Sequence, residues 1–215
     1  FSNLNDEHPA KQYLLNRKLP TDYFDRLYYC DKFQTYVNRI RPGTFESLNK
    51  KYEHPRLIIP FYDVDNQVFA IQGRAFGKEQ PKYLTIKLQE NKQKIFGLER
   101  INLHKRLYIV EGPLDSLFLD NCLAAGGADL QLPVDKKDVV FIFDNEPRNK
   151  EIIDRMYKMI EKDYMIVIWP EGQIEKDINE MIINGKTKDQ VQKIISDNTY
   201  SGLSAITQIN SYKRC

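Results

Sequence analysis

Cysteine is scarce in this chain and badly placed for pairing. Its 215 residues include only Cys30, Cys122 and Cys215, an odd number spread over the whole length. That spacing argues against a disulfide framework and against a paired-cysteine zinc site, and it fits a reducing cytosol. Histidine is as sparse: three scattered residues support neither an imidazole metal site nor a nucleophilic triad. No apolar run approaches the roughly 20 residues that span a bilayer, and no signal peptide opens the chain, so no membrane partner is expected. Repeats and low-complexity tracts are missing too. What remains is a length sufficient for one large domain or two small ones with ample core. The chain opens on Phe1 rather than Met, which reads as a piece of something longer.

Charge is present in both signs but unevenly. The formal net charge is +2. Residues 1–106 hold about 19 Lys and Arg against about 12 Asp and Glu, and the remainder about 13 against about 18. A basic half beside an acidic half suits an enzyme that holds phosphates with cations and metal with carboxylates. Uneven surface charge on a lysine-rich chain is the ordinary alternative, and charge alone does not choose between them.

The hydrophobic pattern divides near residue 105. In the first half, residues 6–17 predict a helix started by Asp6 or Glu7 before Pro9. Residues 20–52 read as short helices and loops. RLIIPFYD (56–63) and QVFAIQGR (67–74) flank a polar turn and predict a β-hairpin, which 81–87 and 94–98 extend as an antiparallel patch. This half is therefore α+β. From 106 the pattern alternates strand and helix. A strand at 107–110 precedes a helix at about 113–121 with Pro113 in its first turn. The short segment CLAAGG (122–127) follows. A strand at 139–143 precedes a helix at 149–162 with Ile152, Ile153, Met156, Met159 and Ile160 on one side. A strand at 165–169 precedes a helix from about 177. Thr187 and Gln190 predict a capping box opening the last helix. Unbroken apolar strands such as VVFIF predict a sheet buried on both faces. Gly185-Lys186-Thr187 imitates the end of a phosphate loop but lacks the upstream glycine and preceding strand, so it is set aside.

Three acidic patches lie just beyond these strands. Glu111 ends LYIVEG, with Asp115 behind it; Asp144 and Glu146 end VVFIFDNEP; Asp177 lies in KDINE, past MIVIW. Loops at the carboxyl ends of parallel strands share one edge, so these carboxylates are expected to converge. Converging carboxylates repel unless cations sit between them. Magnesium, which takes oxygen ligands and keeps substrate phosphates in its shell, suits that arrangement. Each acid has an ordinary alternative: Glu111 and Asp115 as first-turn carboxylates, Asp144 and Asp177 as helix caps. Their common placement favours metal.

The same residues resemble the Toprim domain shared by bacterial-type primases, topoisomerases and some nucleases, over about 106–185. Glu111 matches its glutamate, and Asp144 and Glu146 match its Asp-x-Asp pair with Glu as second member. Lys176-Asp177-Ile178-Asn179-Glu180 is similar to the primase Lys-Asp-x-Asp run, with Asn179 in place of the second aspartate. Gln72-Gly73-Arg74, Pro81-Lys82-Tyr83-Leu84 and Phe96-Gly97-Leu98 resemble the block that precedes Toprim in bacterial-type primases. EGPLDSLF (111–118), the run 144–148 and the tail around 202–212 look like the T-even bacteriophage primases.

The resemblance implies an α+β N-terminal subdomain (1–105) that binds template and nucleotide, an α/β Toprim domain (106–185) with a parallel-type sheet flanked by helices, and a C-terminal helical tail (186–215). It implies short RNA primers made on a single-stranded DNA template from ribonucleoside triphosphates, in the cytoplasm of an infected bacterial host. A replicative helicase is the implied partner. Glu111, Asp144 and Glu146 are the expected catalytic acids. With Asp115 and Asp177 they are expected to hold Mg2+ or Mn2+. Arg56, Arg74, Lys82, Tyr83, Arg148 and Lys176 are the expected nucleotide or DNA contacts. No zinc is expected, since the family's zinc ribbon has no cysteine cluster here. A Toprim-type nuclease and a catalytically silent DNA-binding module are the alternatives. The block at 56–98 argues against the first, and the retained acids against the second.

Overall fold

A computed structural model describes residues 1–46, 48, 53–126 and 133–215. Parts of the predicted 20–52 and 122–127 segments therefore lie outside the described residues. The chain forms two compact units, Phe1–Lys94 and Ile95–Cys215. The division falls before the expected 105, and residues 186–215 belong to the second unit.

In the first unit, helix α1 (Pro9–Asn16) is capped by His8, whose Nδ1 accepts from the Ala10 N–H. The expected caps Asp6 and Glu7 do not serve. A 3₁₀ helix (Thr21–Arg26), strand β1 (Tyr28–Cys30), helix α2 (Phe33–Ile40) and strands β2 (Arg56–Tyr62), β3 (Val68–Ala75) and β4 (Tyr83–Lys87) follow among the described residues. The four strands form one antiparallel sheet in chain order. Asp63 fixes the β2–β3 turn by accepting from the Asp65 and Gln67 amides at 3.0 and 2.9 Å. Phe33 and Val37 of α2 pack on Ile58, Ile71 and Ile86. Gly73 is required here: a Cβ on it would lie 2.3 Å from the Phe33 ring.

Among the described residues the second unit holds six strands: β5 (Ile95–Phe96), β6 (Leu107–Val110), β7 (Cys122–Ala125), β8 (Val139–Phe141), β9 (Met165–Val167) and β10 (Thr199–Tyr200). Their order is β10-β9-β8-β6-β7-β5. The central four are parallel and both edges antiparallel. The expected strand 94–98 thus shrinks to β5 and pairs with β7, not with the hairpin. Gly97, at φ 96, turns the chain away immediately afterwards. Helix α3 (Lys150–Glu161), capped by Asn149, buries all five of its predicted apolar residues against Ile109, Phe141 and Phe143. Helices α4 (Ile178–Ile183), α5 (Lys188–Asp197) and α6 (Gly202–Tyr212) follow, and α5 opens with the expected Thr187–Gln190 capping box. Ala205 and Ile209 of α6 join the same core as α3.

The helix expected at 113–121 is only a 3₁₀ turn, Asp115–Phe118. Arg100 donates to the Ser116 carbonyl (3.2 Å) and hydroxyl (2.6 Å). The Ser116 hydroxyl in turn donates to the Pro113 carbonyl. A carbonyl engaged from outside is a poor acceptor for the next turn, and Asn121 at φ 50 ends the segment.

Candidate active site

The strand order places the acids. From β6 the chain moves to β7 on one side, and β8 then returns to the other side of β6. The carboxyl ends of β6 and β8 therefore flank a topological switch point, where open α/β sheets bind ligands. Glu111 follows β6 and Asp144 lies just beyond β8. A cleft there is lined by Glu111, Gly112, Asp115, Asp144, Trp169 and Asp177 among others. Four of the five expected metal ligands thus share it.

Local chemistry fixes each one. Gly112 lacks a Cβ where one would meet the Asp115 carboxylate at 2.6 Å, so glycine after Glu111 lets the second acid approach. Asp115 also accepts from the Asn179 backbone N–H at 3.2 Å. Asp177 caps α4 through Oδ1, accepting from Glu180 N–H at 2.7 Å, so its capping reading and its place in the cleft both hold. Burial first, then the charges of Glu111, Asp115 and Asp177, push the Asp144 carboxyl up to about 7 against the pull of Lys176.

Cations on this edge are already engaged with acids. Arg155 of α3 pairs with Glu111 and lies over the Phe143 ring, 5.1 Å from its centroid. Lys176 pairs with Glu146 and sits 3.7 Å from Asp144. Glu146, also accepting from Asn149 at 2.7 Å, is held below the usual carboxylate range by that bond and then by Lys176. It does not line the cleft. Among the described residues no three acidic, histidine or cysteine side chains form a ready cage for an ion. The donor chemistry nevertheless suits a hard divalent cation: several carboxylates converge, and Asp144 is driven toward its protonated form by burial and then by the others. Two cationic side chains neutralise the edge as it stands.

The expected basic residues part company. Arg56 is 1% exposed, and its guanidinium donates to the carbonyls of Gly73 and Pro81 at 3.0 Å each. As placed it is a clamp within the sheet, not a phosphate contact. Arg74 is 4% exposed and lies between the rings of Tyr13 and Tyr83, 5.7 and 5.1 Å from their centroids. Lys82 and Tyr83 are exposed beside one another, and Arg148 is exposed too. The set-aside Lys186 pairs with buried Glu175 at 2.6 Å, a structural use.

Sequence reasoning missed Arg155, though it left a trace. It falls three residues after Ile152 and four before Met159, a cation inside the buried stripe of α3. Asn145 and Tyr212, which lie behind the acidic loop, left none.

No family model matches the chain. It is 35% identical over 216 residues to the DNA primase of Enterobacteria phage T4, covering 98% of this chain and 62% of that protein. The chain thus spans about three fifths of that relative's length. The fold is that of bacterial primase catalytic cores. The Aquifex aeolicus primase, solved with its zinc-binding and RNA polymerase domains, matches at a TM-score of 0.64 and 19% identity, over 90% of this chain and 57% of that one. A DnaG primase catalytic domain bound to single-stranded DNA matches at 0.65 and 18%, over 96% and 77%.

Proposed function

We propose that this chain is the nucleotidyl-transfer core of a phage DNA primase, joining ribonucleotides into short RNA on single-stranded DNA during replication in an infected bacterium. The observation that carries this reading is the meeting of Glu111, Asp115, Asp144 and Asp177 at the switch point of a primase-type sheet. The 35% identity to the T4 primase supports it, and the single-stranded DNA bound by one structural neighbour supports the template. A replicative helicase partner is part of the same reading.

Glu111, Asp144, Asp115 and Asp177 would hold Mg2+ or Mn2+, with Glu146 joining once it leaves Lys176. Bound there, divalent ions supply charge neutralisation for the attacking hydroxyl and the leaving pyrophosphate. The chain's own groups do the rest. Arg155 and Lys176, paired here with Glu111 and Glu146, would be the cations beside phosphate oxygens once those acids held an ion. Trp169 lines the cleft and is fixed by donating to the Phe143 carbonyl at 2.8 Å. Lys82 and Tyr83, exposed on the first unit, offer a cation and a ring to template or nucleotide.

Primer synthesis from labelled ribonucleotides on single-stranded DNA tests the reading. The chain should yield short RNA that depends on a divalent ion, and Asp144→Asn should lower incorporation on the order of 10²-fold or more while the fold persists. DNA degradation in place of RNA synthesis points to a nuclease, and an unimpaired Asp144→Asn removes the acidic edge from the chemistry.

A further inference from the structure

Between Asp144 and Glu146 lies a residue that no role above uses. Asn145 is half-buried, and its backbone N–H and side-chain amide are engaged. Its backbone N–H donates to the Lys176 carbonyl at 2.7 Å. Its side-chain amide donates to the carbonyls of Gln173 and Glu175 at 2.8 and 3.0 Å. Its side-chain oxygen accepts from the Tyr212 hydroxyl at 3.0 Å. One side chain therefore ties three segments together: the loop after β8, the loop leading to Lys176 and Asp177, and the last residue of α6.

The far end of that tie is itself anchored. Ala205 and Ile209 seat α6 in the core beside α3. Tyr157 of α3 donates to Asn210 at 2.9 Å, and the Arg214 N–H donates to the Pro147 carbonyl at 2.7 Å. Tyr212 is thus a fixed post. The amide is the side chain that fits this place: it gives two protons to carbonyls and takes one from a phenol. An aspartate would meet two carbonyl oxygens with no proton to offer and would add charge beside Asp144 and Glu146.

We propose that Asn145 and Tyr212 are positioning residues that set the spacing between the Asp144–Glu146 pair and Asp177, so that the C-terminal helix α6 tunes how tightly the acidic edge holds its divalent ion. This rests on the metal reading above. Outer-sphere partners that orient ligands typically carry about 10–100-fold in metal affinity, and the tie stands in that relation to the acids.

The test is Mn2+ binding, followed as loss of the free-ion electron paramagnetic resonance signal, for the chain and for Asn145→Ala, Tyr212→Phe and the pair. Tyr212→Phe keeps the ring and removes one hydroxyl, so it folds even if Asn145→Ala does not. Each single variant should weaken Mn2+ binding by about tenfold, and the double variant should be scarcely weaker than Asn145→Ala, because both act through one bond. A merely structural role would lower the thermal midpoint and leave Mn2+ affinity of the folded protein unchanged. Parental affinity in Tyr212→Phe overturns the proposal, and so does a parental chain that binds no Mn2+. A chain that binds Mn2+, shows the coupled losses and makes no RNA keeps the proposal and sinks the primase reading.

Discussion

At the scale of single residues, Asp144 destabilises the fold that carries it. Its carboxyl titrates at about 7 in the folded chain against an ordinary 3.8. Between those values the folded chain holds a proton that the unfolded chain has released. Stability therefore falls as pH rises through that window, and the deficit is complete above it. At about 1.4 kcal/mol per unit the full shift corresponds to about 4 kcal/mol, which solvent screening at a side chain 32% exposed reduces to the order of 2 kcal/mol. Asp144→Asn should thus raise the denaturation midpoint of the metal-free protein at pH 8, with a gain that shrinks toward pH 4. Urea titrations in a chelator at both pH values check this. An equal gain or loss at the two would deny the electrostatic cause. The acid was legible in the sequence because an apolar strand announces where it ends. Arg155, Asn145 and Tyr212 were not, because their partners lie 44 residues from Arg155 and 67 residues across the Asn145–Tyr212 bond.

At the scale of elements, legibility followed local periodicity. Helix α3 stands where its 3.6-residue pattern predicts, and the β2–β3 hairpin where two apolar runs flank a polar turn. The segment at 113–121 failed because a distant guanidinium takes the Ser116 carbonyl, and β5 failed because its partner is β7 rather than its sequence neighbours. The packing of α2 on its sheet offers a sharper check. Phe33 approaches β3 only because position 73 has no side chain. Gly73→Ala should cost about 1–3 kcal/mol from overpacking, and Phe33→Leu, placed in the same molecule, should recover part of that loss. Additive losses in the double variant, measured by denaturant unfolding, would show that the contact does not set the fit.

At the scale of the whole molecule, the proposed template contacts belong to a different unit from the acids, while Arg155 and Lys176 share the acids' unit. The proposed template contacts Lys82 and Tyr83 are in Phe1–Lys94, and the acids are in Ile95–Cys215. Binding of single strands and binding of ions should therefore separate by mutation. Lys82→Ala should weaken binding to a labelled oligothymidine and flatten its salt dependence by a slope of about 0.7, the signature of one lost phosphate contact on single strands. Mn2+ affinity should be unchanged. Arg56 distinguishes a charge that binds from a charge that holds the fold: its guanidinium is spent on the Gly73 and Pro81 carbonyls. Removing it strips a buried donor from the Gly73 carbonyl and ends the part-buried bond to Pro81, so Arg56→Met should destabilise the protein by about 1–3 kcal/mol. It should leave the salt slope of the folded protein intact. Fluorescence anisotropy across a salt series, beside unfolding curves, reads both quantities. A flattened slope in Arg56→Met with unchanged stability would reverse the assignment, and an unchanged slope in Lys82→Ala would take that lysine off the template.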